Sequence, residues 1–131
     1  VLDGIVELKL TPIDVNTSLN LKDILFESGS AQLSEVSFSQ LDRIVEVMIT
    51  NPGMRVEISA HTDDIGSDAF NQSLSDKRAH SIVDYMVSHD IPDNNLVAKG
   101  YGEKKPVVPN DSEENRLKNR RVELKVLEVL N

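Results

Sequence analysis

The 131-residue sequence contains no cysteine and no tryptophan, and its three Phe and two Tyr residues amount to only 4% of the chain. The absence of cysteine excludes disulfides, thiolate metal ligands and cysteine nucleophiles. Because 39% of the residues are nevertheless hydrophobic, we expect a folded chain whose core consists of Val, Ile and Leu. A single domain of this length is large enough to bury such a core.

Long apolar runs are also missing, since no stretch approaches the roughly 20 residues of a membrane-spanning helix. No secretory signal is present, but the chain begins at Val1. We therefore interpret it as a piece of a longer protein, and any membrane contact is expected to come from other parts of that protein.

Basic residues are outnumbered by acidic ones. The chain has 14 Lys and Arg against 22 Asp and Glu, which gives a formal net charge of −8. An electrostatic field of this sign repels phosphate backbones and anionic lipid surfaces. Neither nucleic acid nor a membrane surface is therefore expected as a partner of this domain.

Strand-like and helix-like patterns alternate along the chain. Alternating apolar residues predict strands at 19–26, 55–60, 96–99 and 120–129. Helical spacing predicts a helix that follows Ser34 and a second that begins with Ser75 as its N-cap. Shorter helical pieces are expected at 68–73 and 116–119, and a turn at 100–102. This order predicts an α/β sandwich, that is, an α+β domain with its helices packed on one sheet.

The first residues are harder to place. An alternating run at 5–10 stops at Thr11 and Pro12, so we interpret residues 1–18 as a lead-in segment or an edge strand. Residues 19–131 contain no internal repeat, linker or low-complexity stretch. We expect them to form one domain.

The densest polar segment extends from His61 to Asp68 and is followed by a predicted helix start at Ser75. Strand ends beside helix N-termini often collect ligands, and the free N–H groups there favour anions. If Ser75 caps the helix, Arg78 lies at the third helical position, where a cation opposes the helix dipole. Arg78 could then hold a ligand carboxylate while Asp63 accepts from an ammonium group. A plain Asp63–Arg78 ion pair is the open alternative.

Several motifs, in order, resemble the signature of the OmpA-like domain family, which includes the C-terminal domain of outer membrane protein A, peptidoglycan-associated lipoprotein and flagellar stator proteins. The resemblance covers roughly residues 19–126. The matching motifs are Ala60-His61-Thr62-Asp63, Gly66, Asn71, Leu74-Ser75-Asp76-Lys77-Arg78-Ala79, Ile91-Pro92, Gly100-Tyr101-Gly102-Glu103, Pro106, Asn110 and Arg116-Leu117-Lys118-Asn119-Arg120-Arg121-Val122-Glu123.

The resemblance implies a βαβαβαβ fold with a mixed sheet and non-covalent binding of peptidoglycan through the meso-diaminopimelate of its stem peptide. Asp63 and Arg78 match the family's ligand-holding pair. Further ligand contacts are implied for Thr62, Asn71 and the turn after the first strand, and Arg116 is added as a weaker candidate. The turn consists of Ser28, Gly29 and Ser30.

The family also implies a location. The domain is expected in the periplasm, where the rest of the chain would attach it to the outer membrane or cell envelope. Its oligomeric state stays open, and a homo-oligomer is one possibility. No cofactor is expected.

Four residues are expected to support the site rather than touch the ligand. His61, at a strand end, is interpreted as a hydrogen-bonding structural residue, and Ser75 as a helix cap. Arg120 shares parity with Val122, so it should point toward the helix-covered side and need a polar partner. We expect Arg120 and Asn119 to hold the binding loop from behind.

Rival functions have weaker signals. His61, Ser75 and Asp63 could be imagined as a hydrolase triad, but no G-x-S-x-G nucleophile elbow is present. The acidic residues of 63–68 lack the spacing of a calcium loop, and His80 and His89 are too far apart for a helical zinc pair. We therefore expect neither an enzyme nor a metal site. A protein-interaction or assembly domain of the same fold remains the alternative.

Overall fold

The computed structural model describes residues 14–22 and 24–129, which form a four-stranded mixed sheet with strand order β1-β4-β2-β3. β2 pairs parallel to β3, whereas β4 is antiparallel to both β1 and β2. The elements are β1 (Ser18–Asn20), α1 (Glu35–Thr50), β2 (Met54–His61), α2 (Asp68–Ser88), a 3-10 turn (Asp93–Asn95), β3 (Leu96–Gly102), α3 (Glu113–Asn119) and β4 (Arg121–Val129).

The core lies between the helices and one face of the sheet. On β2, Val56 and Ile58 are buried on the same side as Leu124 of β4, because alternate residues of a strand share a face. The helices add Ile44 and Ile82, both fully buried. No aromatic residue is among the buried hydrophobic side chains of the described part of the chain. The aliphatic core and the α+β arrangement of helices on one face of a mixed sheet are confirmed.

The first strand is shorter than predicted. Among the described residues, the strand that pairs with β4 is Ser18–Asn20, while Phe26 makes an isolated bridge with Leu33. After β1 the chain turns, and the side chains of Leu21 and Ile24 are buried in the core. The Ile24 N–H donates to the Leu21 carbonyl at 3.3 Å within this turn. The alternation therefore reflected burial of a turn rather than a continuous strand. The run at 5–10 lies outside the described residues, and the boundary at 18/19 stays a prediction.

The second helix is continuous, so the prediction of an N-cap at Ser75 is wrong. α2 begins after Ser67, whose Oγ accepts from the Phe70 N–H at 3.1 Å. Ser75 lies within the helix, fully buried, where its Oγ donates to the Gln72 carbonyl and accepts from the Gly102 N–H. Since Arg78 is in mid-helix, the argument that it opposes the dipole of a first turn fails.

The glycines predicted as a turn at 100–102 belong to β3 instead, and they let α2 approach the strand closely. The N–H of Gly100 donates to Asp76 Oδ1 at 3.1 Å, and its carbonyl accepts from Gln72 Nε2 at 2.6 Å. A Cβ on Gly100 would lie 2.3 Å from the backbone nitrogen of Asp76. Helix and strand backbones therefore pack with no room for a side chain.

The last helix and the last strand occur where the sequence predicts them, but their first residues differ from the prediction. α3 begins three residues earlier than the expected piece at 116–119, because Ser112 Oγ caps it by accepting from the Asn115 N–H at 3.1 Å. The last strand begins at Arg121 rather than at Arg120. Arg120 therefore lies between α3 and β4 and is not part of the last strand.

Gly100→Ala is predicted to lower the free energy of unfolding by about 2–3 kcal/mol, because the added methyl group meets the backbone of α2. Gly29→Ala is the matched control. Its Cβ would meet nothing within 4 Å, but its φ of +64° makes a side chain cost about 1 kcal/mol. Urea denaturation measures both. An equal or smaller loss in Gly100→Ala would contradict the close packing.

Candidate functional site

A cleft of about 630 Å³ opens where β2 ends and α2 begins, next to the segment that follows β1. Its wall includes four charged side chains, Asp63, Arg78, Arg120 and Arg121. Ser28, Gly29, Thr62 and Asn71 also line it. The fold therefore brings most of the predicted ligand-binding residues to one place, although 50 positions of the sequence separate Ser28 from Arg78.

Asp63 is the buried carboxylate of the cleft, only 6% exposed. Its Oδ1 accepts from the Ile65 N–H at 2.9 Å, and its Oδ2 accepts from Arg120 Nη1 at 2.7 Å. A carboxylate offers about four lone-pair positions. Asp63 therefore keeps capacity for a further donor.

Arg120 lies in the wall of the cleft, not behind the binding loop as we expected. It bridges Asp63 and Glu113, with its Nη2 2.6 Å from Glu113 Oε1, and its side chain stays 36% exposed. The hydrogen bond to Glu113, followed by that to Asp63, raises the pKa of Arg120. Its support of Asp63 is as predicted, but its place in the wall also lets it face a ligand.

Arg78 is half-buried and does not pair with Asp63, so the alternative of a plain ion pair between them is wrong. Its Nε donates to the Ser30 carbonyl at 2.8 Å, and the guanidinium lies 4.8 Å from the centre of the Phe26 ring. Burial, and then the charge of Arg120, lower the pKa of Arg78. Within residues 14–22 and 24–129, no carboxylate lies within ion-pair distance of this cation.

The loop after β2 is braced by its own side chains. Asn71 Nδ2 donates to the carbonyls of Asp63 and Ile65 at 3.3 and 3.1 Å. Thr62 Oγ1 donates to the Asp63 carbonyl at 2.8 Å, and Gly66 supplies a φ of +94°. Thr62 and Asn71 thus act on the shape of the loop. Their direct contact with a ligand stays a prediction.

The remaining predicted residues occupy less central places. Ser30 is absent from the described cleft wall, but its carbonyl positions Arg78. Arg116 lies outside the wall, with its Nε 3.5 Å from Asp64 Oδ1. Asn119 is fully buried and holds the segment 107–110 instead of the binding loop, because its amide bonds the backbone of Val107 and Val108. The expected role of Asn119 behind the binding loop is therefore wrong.

His61 adjoins a second polar group on the sheet face that α1 and α2 leave open. Its Nε2 lies 3.2 Å from Glu123 Oε1 and 3.3 Å from Ser59 Oγ, and its ring stacks on Tyr101. Burial, and next the charge of Arg121, lower the pKa of His61 to about 4. It is therefore a neutral structural residue at neutral pH.

Among the described residues, Ser75, His61 and Asp63 do not form the triad considered from the sequence. The Oγ of Ser75 is engaged with β3, and Asp63 bonds Arg120 rather than His61. No group of three His, Asp or Glu side chains within these residues is placed to hold a metal ion. In the same part of the chain, no helix has the length and apolar character needed to cross a membrane.

The sequence patterns missed an apolar rim at the mouth of the cleft. Four large apolar side chains line it while being more than half exposed to solvent, namely Leu25, Ile65, Phe70 and Leu117. The only sequence signal was their position next to polar motif residues. Large apolar residues beside polar motifs can equally be buried in the core. A sequence pattern alone therefore does not separate rim residues from core residues.

His61 predicts a pH dependence of stability. Its pKa is about 6.5 when unfolded and about 4 when folded, so the unfolded chain binds the extra proton between these values. Stability should therefore fall as pH drops from about 6.5 to 4, by on the order of 3 kcal/mol. Urea midpoints of the wild type and His61→Gln across this range measure it. Identical slopes for the two proteins would disprove the assignment.

Comparisons with known proteins agree with this geometry. Residues 25–120 match the sequence profile of the OmpA family. Outer membrane porin F of Pseudomonas fluorescens is 36% identical over 104 residues, which are 79% of this chain and 32% of that protein. The peptidoglycan-binding protein ArfA of Mycobacterium tuberculosis is 34% identical over 103 residues, with the same coverage of 79% and 32%. The chain thus spans about a third of the length of these relatives.

Two solved structures share the fold. A MotB-like protein from Desulfovibrio vulgaris has a TM-score of 0.77 and 28% identity, covering 87% of this chain and 74% of that one. The cell wall anchor of the type VI secretion system (T6SS) from Pseudomonas aeruginosa has a TM-score of 0.71 and 29% identity, with coverages of 84% and 78%. From the profile match over most of the chain and the site built on its motifs, this chain belongs to the OmpA family.

Proposed function

We propose that this chain is a non-catalytic domain that binds peptidoglycan non-covalently and so anchors an envelope protein to the cell wall. The ligand would be the free amino-acid end of meso-diaminopimelate in the stem peptide. The observation that carries this proposal is the cation of Arg78, half-buried in a cleft without a carboxylate partner among the described residues. Relatives described as peptidoglycan-binding and as a cell wall anchor support it.

Arg78 would bind the ligand carboxylate. Its Nε is held by the Ser30 carbonyl, which orients the guanidinium and leaves donors on its terminal nitrogens for an anion. Partial burial removes water and strengthens such a pair. A guanidinium can also grip a carboxylate through two parallel hydrogen bonds. The desolvation that lowers the pKa of Arg78 would be relieved by the arriving negative charge.

Asp63 would bind the ligand ammonium group. Both of its oxygens are fixed, by the Ile65 N–H and by Arg120, so the carboxylate is preorganised and does not need to be ordered on binding. Its unused lone pairs suit an ammonium donor. Arg120 would stay on Asp63 and add positive potential near the ligand carboxylate.

Two charge contacts at a partly open cleft suggest modest affinity, about micromolar or weaker per site. A wall presents many equivalent stem peptides, and this density raises the effective concentration of sites. Anchoring would therefore come from repetition rather than from a tight single contact. The location that fits is the periplasm, with the rest of the protein attached to the outer membrane or envelope, as in the relatives named for the outer membrane.

The alternative of an assembly domain predicts a large apolar patch away from the charged pair. Of the nine exposed large hydrophobic residues in the described part of the chain, four line the cleft, and the other five are outside its wall. The cleft with Asp63 and Arg78 thus carries a group of four such residues. This placement favours ligand binding over assembly.

Removing either charge of the pair should abolish wall binding. We expect Asp63→Asn and Arg78→Gln to lose at least 90% of co-sedimentation with diaminopimelate-type peptidoglycan, since each contact is on the order of 1.5–3 kcal/mol. Arg55→Gln is the matched control, because Arg55 pairs with Glu128 away from the cleft. Circular dichroism monitors folding. Retention of wild-type binding by both cleft variants would rule out this site.

The nature of the diamino acid gives a separate test. A lysine-type wall presents an ammonium group without the neighbouring carboxylate, so Arg78 would have no anion to bind. Wild-type protein is expected to pellet with diaminopimelate-type peptidoglycan and to stay mostly in the supernatant with lysine-type peptidoglycan. Equal pelleting with both walls would mean that the domain does not recognise the side-chain carboxylate of diaminopimelate.

A further inference from the structure

The apolar rim is not explained by the charged pair. Leu25, Ile65, Phe70 and Leu117 are between 51% and 63% exposed, and all four line the one cleft. Single exposed apolar side chains are ordinary on a protein surface, whereas a cluster around a charged cleft marks a contact with something that covers it. The rim is also unneeded for the core, since none of its members belongs to the buried cluster.

Two members of the rim stand on backbone that is held firmly. Ile65 donates its N–H to Asp63 Oδ1 at 2.9 Å and receives Asn71 Nδ2 on its carbonyl at 3.1 Å. The Leu25 N–H donates to Ser37 Oγ at 2.7 Å, and its carbonyl accepts from the Ser34 N–H at 2.9 Å. Exposed apolar side chains on fixed backbone are preorganised for contact, because little entropy is lost on binding.

The size of the cleft indicates a ligand longer than one amino-acid end. A volume of about 630 Å³ lies within the range of sites for drug-sized ligands. One ammonium and one carboxylate group account for a small part of that space. A longer ligand that filled the cleft would also meet the rim, where side chains offer methyl and methylene surface and one aromatic ring but no hydrogen-bonding groups.

We propose that this apolar rim is a second subsite, which binds the methyl group of the alanine attached to diaminopimelate in the stem peptide. The inference rests on the proposed function, because the charged pair sets which end of the ligand enters the cleft. An alanine methyl suits the rim since it needs no polar partner, and it belongs to the residue next to the group that the charged pair would hold. The domain thus recognises the alanine next to diaminopimelate as well as diaminopimelate itself.

Two ligands test the subsite in isothermal titration calorimetry at pH 7. One is the stem tetrapeptide that ends in diaminopimelyl-D-alanine, and the other is the same peptide with glycine in place of that D-alanine. The wild type should bind the alanine peptide about fivefold to tenfold more tightly, since one covered methyl group is worth on the order of 1 kcal/mol, or about a fivefold change in Kd. Free meso-diaminopimelate serves as the reference for the charged pair.

The double variant Ile65→Gln, Phe70→Gln removes apolar surface from the rim and keeps side-chain bulk. It should bind the two peptides with equal affinity while its affinity for free diaminopimelate stays within about twofold of wild type. The matched control is Val36→Gln, Ile49→Gln, which changes two similarly exposed residues of α1 outside the cleft wall. This control should keep the preference for alanine.

The outcomes separate the two proposals. A wild type that binds all three ligands without preferring alanine over glycine overturns the subsite and leaves the charged pair standing. A rim variant that keeps the full alanine preference overturns it as well, and so does one that weakens all three ligands by the same factor. A wild type that binds none of the three overturns the proposed function together with this inference.

Discussion

The rest of the site depends on the two hydrogen bonds that the Asp63 carboxylate accepts. One oxygen closes the loop after β2 by accepting from the Ile65 N–H, and the other holds Arg120, which in turn reaches Glu113 of α3. A single buried anion therefore joins the end of the central strand to the C-terminal helix. Because its charge is already balanced by Arg120, the cation of Arg78 has no carboxylate partner among the described residues of the cleft. The free binding capacity of the site follows from that unequal pairing.

The scaffold that supports this arrangement is the contact between α2 and β3. Gly100 lets the helix backbone approach the strand, and the side chains of Asp76 and Ser75 hydrogen-bond the strand backbone on either side of Tyr101. Two residues of the Leu-Ser-Asp-Lys-Arg-Ala motif thus serve packing, and a third, Arg78, serves the cleft. One helix carries both duties because neighbouring residues within a helix turn point to different faces. The motif is a structural unit as much as a binding signature.

The cleft combines a charged interior with an apolar mouth. The charges offer recognition of a zwitterionic group, and the rim offers surface that only a longer ligand can cover. Both parts are carried by backbone that the fold holds in place, through Asn71 for the loop and Ser34 and Ser37 for the segment at Leu25. Such preorganisation limits the entropy lost on binding. Under the proposed function, such preorganisation suits a domain that holds a repeated polymer through many weak contacts.

The sequence by itself determined the aliphatic core, the βαβαβαβ order and the placement of Asp63 and Arg78 in one functional segment, because apolar periodicity and ordered motifs are local signals. It was wrong about Ser75 as a cap, since serine satisfies either a helix end or an interior carbonyl, and only the approach of Gly102 decides between them. It was also wrong about the role of Asn119, and it predicted the support of Asp63 by Arg120 but not the place of Arg120 in the cleft wall. Tertiary structure alone decided the pairing of Asp63 with Arg120, the lack of a carboxylate partner for Arg78 among the described residues, and the apolar rim. Each depends on which side chains meet across distant segments, and that information is not contained in any local pattern.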